Sequence, residues 1–269
     1  MKTSFSGHEK FDCKMSWLPL ASKNIKAVYE DVETAISITG IGSNKIKSLK
    51  QWLGKLQLSA GTKFSSNAEI IFSNDPYLEK LESLWILHTY ITQNFEKATL
   101  YNLFFNEFFI STFTKDALLE RTKEWCENKG LKMADNTLTS DITVLMKMYL
   151  KDEKSNSLFS DLHLLSKVDN EYIFNVKNPA EVTDITFLYI FLYFIRDIND
   201  NTISVKDLQF GKTSLQYTLG LTEEKLLEKL ENLHSVSNGA ISYQEASGIK
   251  QIYITNRPKL EEILANVYK

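Results

Sequence analysis

An ordered block near the C-terminus constrains the fold most. SLQYTLG (214–220) reads as a short helix, and Gly220-Leu221-Thr222 as a turn. TEEKLLEKLENLH (222–234) reads as a second helix, with Leu226, Leu227, Leu230 and Leu233 recurring on one face. GAISYQE (239–245) and KQIYITN (250–256) then alternate apolar and polar residues around Gly248, as the two strands of a hairpin do. Helix, turn, helix and a two-stranded ribbon, in that order, make the winged-helix pattern.

The stretch TGIGSNKIKSLKQWLGKLQL (39–58) begins the same way, with a helix, a glycine turn and a helix, and polar residues follow that can form a second small wing. At about 100° per residue, Ile46, Leu49, Leu53 and Leu56 cluster on one face of its second helix. The opposite face carries Asn44, Lys47, Ser48, Gln51 and Lys55, flanked by Lys45, Lys50 and Trp52. From Ile41 to Gln57 there are four lysines and no acid. Asn and Gln can bond to adenine edges and Lys to guanine or phosphate, which is the chemistry of a major-groove helix. A solvated face of a scaffold helix has the same composition, so two readings stand, with the absence of acids favouring DNA. The C-terminal helix is of the opposite character. Glu224, Glu228 and Glu231 point outward, repel phosphate, and suit a protein contact.

The expected architecture is mainly α with small β wings, an α+β fold of two winged-helix-like helix-turn-helix units joined by helical elements. The polar segment KDEKSNS (151–157) marks the expected boundary between a helical domain, 1–152, and a winged-helix-like domain, 153–269. In the first half the periodicity predicts helices over VYEDVETAISITG, SNKIKSLKQWLGKLQ, DPYLEKLESLWILHTYITQNF, KATLYNLFFNEFFI, TKDALLERTKEWCENKG and LTSDITVLMKMYLK. Asp75 is the expected N-cap of the third, with Pro76 at its first turn. Past the boundary come a short helix, a strand around Glu171–Asn175 and an aromatic helix from Asp184 to Asp197. The apolar run in ITFLYIFLYFIRD is about eleven residues, too short to span a bilayer and better suited to burial.

With 269 residues and 43% hydrophobic content the chain has enough material for a substantial core. A net charge of −3 makes any nucleic-acid surface a local one. Three of the 31 basic residues are arginines (Arg121, Arg196 and Arg257), so bidentate phosphate clamps are scarce. Cys13 and Cys126 show neither a CxxC spacing nor a disulfide framework. The N-terminal MKTSFSGHEKFDCK lacks a signal-peptide apolar core, and the expectation is a cytoplasmic protein.

Catalytic signatures are weak. Gly40-x-Gly42 is not followed by GK[ST] and reads as a turn between helices, not a phosphate loop. His8, His88, His163 and His234 are scattered; His8-Glu9 with Cys13 could form an acid–base pair or metal ligands, but no spacing completes the set. Trp85 and His88 sit three apart on a helix, which suggests an internal polar contact for His88. No catalytic, metal or cofactor residue is assigned.

Taken in order, GHEKF, WLPL, GIGSNKIKSLKQW, DPYLEKLESLWILH, the FFN of the next helix and TLTSDITVLMKMYL resemble the bacterial domain-of-unknown-function family 4007, over roughly Phe5 to Leu150. The resemblance implies an accessory component of DNA-modification or phage-defence loci. Members often stand beside sulfur-transfer enzymes linked to DNA phosphorothioation, so the implied partners are double-stranded DNA and a sulfur-transfer enzyme, ATPase or nuclease. Where the family has HETF the chain has His8-Glu9-Lys10-Phe11, and its Gly-Lys-Asn-Met turn is here Gly42-Ser43-Asn44-Lys45. Arg is usual near the position of Lys14. The expectation is therefore a non-enzymatic DNA-interacting subunit using Asn44, Lys45, Lys47, Ser48, Lys50, Gln51 and Lys55. The alternative is an adaptor that uses Glu224, Glu228 and Glu231 and never touches DNA.

Overall fold

A computed structural model describes residues 2–152, 156–176, 182–211 and 213–269. Glu153, Lys154 and Ser155 of the expected boundary lie outside the described residues. The chain begins with an arm, residues 2–16, and continues into α1 (Trp17–Tyr29), α2 (Val32–Thr39) and α3 (Ser43–Lys55). VYEDVETAISITG, expected as one helix, is divided between α1 and α2. Asp31 caps α2 by accepting the Thr34 N–H at 2.9 Å, and its carboxylate competes with a continued helical ladder. Gly40 closes α2 in the left-handed region at φ 69°, while Gly42 is extended at φ −64°. Only Gly40 therefore uses glycine's freedom. A small antiparallel hairpin, β1 (Ser59–Ala60) with β2 (Lys63–Phe64), follows α3.

α4 (Ser66–Asn74), which the apolar periodicity did not reveal, is capped by Ser65 through the Ala68 N–H. α5 (Leu81–Thr92) begins five residues later than expected. Asp75 is no N-cap, because its buried carboxylate accepts the N–H groups of Glu79 and Lys80 and the Ser83 hydroxyl, organising a turn that contains Pro76. Every side chain from Ser83 to Thr92 is buried, so α5 runs through the centre of the molecule. α6 (Thr99–Leu103) continues into a π-helical turn, Phe104–Phe108. After β3 (Thr112–Phe113) come α7 (Lys115–Asn128) and α8 (Asp135–Tyr149).

A 3-10 turn (Ser160–Leu162) leads to β4 (Leu165–Val168) and β5 (Glu171–Phe174). β3 adds to the free side of β5 through Phe113↔Tyr172, giving a sheet of order β3-β5-β4. α9 (Asp184–Phe194) is buried at every position from Thr186 to Phe194, as expected of a helix that is apolar all round. Among the described residues no helix is long and apolar enough to cross a membrane.

The remaining elements follow the order read from the sequence, with additions. β6 (Thr202–Ser204) and α10 (Val205–Phe210) precede α11 (Leu215–Thr218) and α12 (Glu223–Val236). β7 (Ile241–Ala246) and β8 (Ile249–Ile254) form a hairpin whose two turn residues, Ser247 and Gly248, both have positive φ. β6 pairs with β8, so the sheet order is β6-β8-β7. α13 (Leu260–Val267) packs on α4 and α9. The architecture is α+β, predominantly helical with small antiparallel sheets, and one hydrophobic cluster extends from Phe5 to Leu264.

Candidate nucleic-acid interface

The apolar face of α3 is as the periodicity requires: Ile46, Leu49, Leu53 and Leu56 are all fully buried. On the far side Asn44, Lys47 and Gln51, spaced three and four residues apart, form an exposed stripe with Lys45 beside it. Lys50 is half-buried next to the Tyr29 ring, with its ammonium 6.0 Å from the ring centroid. α3 contains no acid, and no side chain caps its first turn. The stripe and the open N–H groups of that turn together favour an anion.

Two residues of the expected outward face point inward. Ser48 is buried and its hydroxyl donates to the His8 carbonyl at 2.9 Å. Lys55 is 2% exposed and donates to the Lys97 carbonyl at 2.6 Å. For Ser48 the cause is the N-terminal arm, which lies along this flank, and for Lys55 it is the loop after α5 that carries Lys97. Trp52 Nε1 donates to the Phe11 carbonyl at 3.1 Å, and the Gln51 side chain rests against Gly7, where an added Cβ would meet it at 3.1 Å. Asn94, from the loop after α5, donates to the Gly54 and Lys55 carbonyls and covers the end of the helix. A helical wheel counts one helix, and so cannot register either covering segment.

The arm is itself anchored. His8 stacks on Trp52 at 5.9 Å and 15°, and its Nε2 lies 2.7 Å from Oδ1 of Asp141 on α8. The Lys10 N–H donates to His8 Nδ1 at 3.2 Å, so in the neutral ring Nε2 carries the proton and donates to Asp141. Both side chains are buried. His8 and Glu9, adjacent in sequence, are not paired: Glu9 is exposed, at φ 48°. Asp141, 133 residues from His8, is the partner sequence reasoning missed, and no local spacing could have signalled it. Cys13 is fully buried, and burial, reinforced by Asp12, drives its thiol pKa well up, a poor setting for a thiolate nucleophile. Among the described residues no group of three or more His, Cys, Asp or Glu is arranged to hold a metal ion.

His88 does make the internal contact expected of it, with the Trp85 ring 5.7 Å away. It also accepts the Tyr149 hydroxyl at Nδ1 (2.7 Å) and donates from Nε2 to the Thr218 carbonyl (2.8 Å), joining α5 to α8 and α11. Complete burial, only partly offset by that carbonyl, holds its pKa at about 4, so the ring is neutral at pH 7. On α12, Glu224, Glu228 and Glu231 are exposed; Glu228 pairs with Lys225 at 2.6 Å. The inward side of that helix is charged as well, with Lys229 and Asn232 holding Asp184 of α9 at 2.6 and 2.9 Å.

The family model for the protein of unknown function DUF4007 matches residues 5–268. The chain belongs to the DUF4007 family. The match extends well past Leu150, so the C-terminal half is part of the DUF4007 unit and not a separate addition. Two solved structures share its fold. A magnesium ion-bound SspB has 21% sequence identity and a TM-score of 0.87, covering 98% of this chain and 88% of the other. A second SspB structure has 20% identity and a TM-score of 0.86, with the same coverage. No curated protein matches the sequence.

The turn that aims α3 offers a simple check. Gly40→Ala introduces a Cβ that meets nothing within 4 Å, so its cost is conformational alone, about 1 kcal/mol by urea denaturation. No measurable loss would mean that the left-handed turn is not what joins α2 to α3.

Proposed function

We propose that this DUF4007 chain is a non-enzymatic, DNA-contacting accessory subunit of a bacterial DNA-modification system of the phosphorothioation type, or of a phage-defence system. The observation that carries the reading is the exposed, acid-free stripe of Asn44, Lys47 and Gln51 with Lys45 and Lys50 at its edges. In this reading the amides meet base edges and the lysines meet phosphates. Ser48 and Lys55 act from beneath, the first holding the arm. The fold shared with SspB, one form of which binds magnesium, supports a place in the same kind of system, in company with a sulfur-transfer enzyme, ATPase or nuclease. We read α9 to β8 as a winged-helix unit, because a strand between the first and second helices pairs with the last strand of the hairpin. Residues 1–152 then supply the DNA face and 153–269 the wing-bearing domain, in a cytoplasmic protein.

The test is duplex binding by the full chain across a salt series. Lys47→Ala combined with Gln51→Ala should weaken binding roughly tenfold and lower the slope of log K against log salt by about one. Identical affinity and slope in the variant would remove α3 as the reading element.

A second reading, an adaptor without DNA contact, is favoured by the exposed Glu224, Glu228 and Glu231 on α12. Lysine at all three positions should then abolish co-purification with the products of neighbouring genes. Retained co-purification would argue against that surface.

A further inference from the structure

Lys55 is buried at the end of α3, and the one hydrogen bond of its ammonium among the described residues goes to the Lys97 carbonyl. A protonated lysine has three donors, so two are left. Burial pushes its pKa down, and the Asp141 carboxylate, acting at a distance, offsets only part of this. A desolvated ammonium without a paired anion is costly to a fold, unless an anion arrives from outside.

Beside it is a hollow suited to one. A cavity of about 340 Å³ between the N-terminal arm, α3 and the β1–β2 hairpin is lined by Lys50, Lys55 and Lys97, with Gln51, Ser59 and Tyr29. Neither Asp nor Glu is among its described lining residues. Ser59 Oγ accepts the Tyr29 hydroxyl at 2.8 Å, so its own proton is available to donate. An added Cβ on Gly54 would meet Cδ and Nζ of Lys97 at 3.8 Å, so that side chain reaches across α3 where the helix has no side chain of its own.

We propose that this hollow is a binding site for a phosphate group, either free or carried on a nucleic-acid backbone. Three ammonium groups with no carboxylate among them draw an anion, and over a planar carboxylate their placement on several sides of the hollow favours a phosphate. Its tetrahedral oxygens can accept from several directions, and lysines serve phosphate as point-charge donors. The site is distinct from the outward stripe of Asn44 and Lys47, although Gln51 and Lys50 border both. The backbone-borne case rests on the DNA reading; the free case does not.

The full chain is titrated calorimetrically with inorganic phosphate at constant ionic strength, chloride making up the balance. Saturable binding is expected, weakened roughly tenfold in Lys97→Ala, which keeps the backbone carbonyl that Lys55 uses. Lys55→Met should abolish it, with circular dichroism confirming the fold. If an unmodified duplex displaces bound phosphate, the natural source is a nucleic-acid backbone. If duplex leaves it bound, or does not bind at all, the source is free phosphate and the site stands without the DNA reading. Absence of saturable phosphate binding, or equal affinity in Lys97→Ala, overturns the site even where the Lys47 and Gln51 variant confirms duplex contact.

Discussion

His88→Leu is expected to lower unfolding stability by about 4 kcal/mol, read as a reduced urea midpoint at unchanged m-value. The substitution leaves the Thr218 carbonyl and the Tyr149 hydroxyl without their partner in a site that excludes water. Each such orphaned group costs about 1–3 kcal/mol. The wild-type protein should also show a pH dependence that the variant lacks. The folded-state pKa of about 4 lies below the ordinary value of 6.5, so the unfolded chain binds the proton first. The contribution of His88 is therefore complete above pH 6.5 and is lost as pH falls towards 4, about 3 kcal/mol over that window. A wild-type profile parallel to that of the variant between pH 6.5 and 4 would show that the ring is not held neutral by burial.

Asp141→Ala should cost about 3 kcal/mol, because it strands the buried His8 Nε2–H. Its effect is not confined to stability. His8 is the point at which the N-terminal arm is fastened, and the same arm accepts from Ser48 and Trp52 of α3. Amide hydrogen exchange over residues 5–12 should rise in the variant by more than its global destabilisation explains. Asp141→Asn, which keeps an acceptor for the imidazole, should restore most of the protection. Uniform loss of protection throughout the chain, with no excess in the arm, would show that the dyad supports the core and not the arm.

The candidate site was half legible in the sequence. The 3.6-residue period placed Ile46, Leu49, Leu53 and Leu56 inward and Asn44, Lys47 and Gln51 outward, because those positions depend on α3 alone. Ser48 and Lys55 were misplaced because their surroundings come from an arm forty residues earlier and a loop some forty residues later. Asp75 and Asp31 show the other limit. Both carboxylates settle local backbone by bonding it directly, and apolar periodicity does not register that competition. The C-terminal block was readable almost element by element, since turn chemistry and alternation coincide there. The β3–β5 pairing was not, because a two-residue strand leaves no pattern.

The position of α13 has a consequence for the order in which the molecule is made. The Tyr268 hydroxyl meets Ser83, 185 residues back, and α13 covers α4 and α9. On the ribosome, the apolar surfaces that α13 will cover are finished long before α13 exists. Synthesis therefore leaves an interval in which a nearly complete core stands open, when contact with a holdase or with another nascent chain competes with closure.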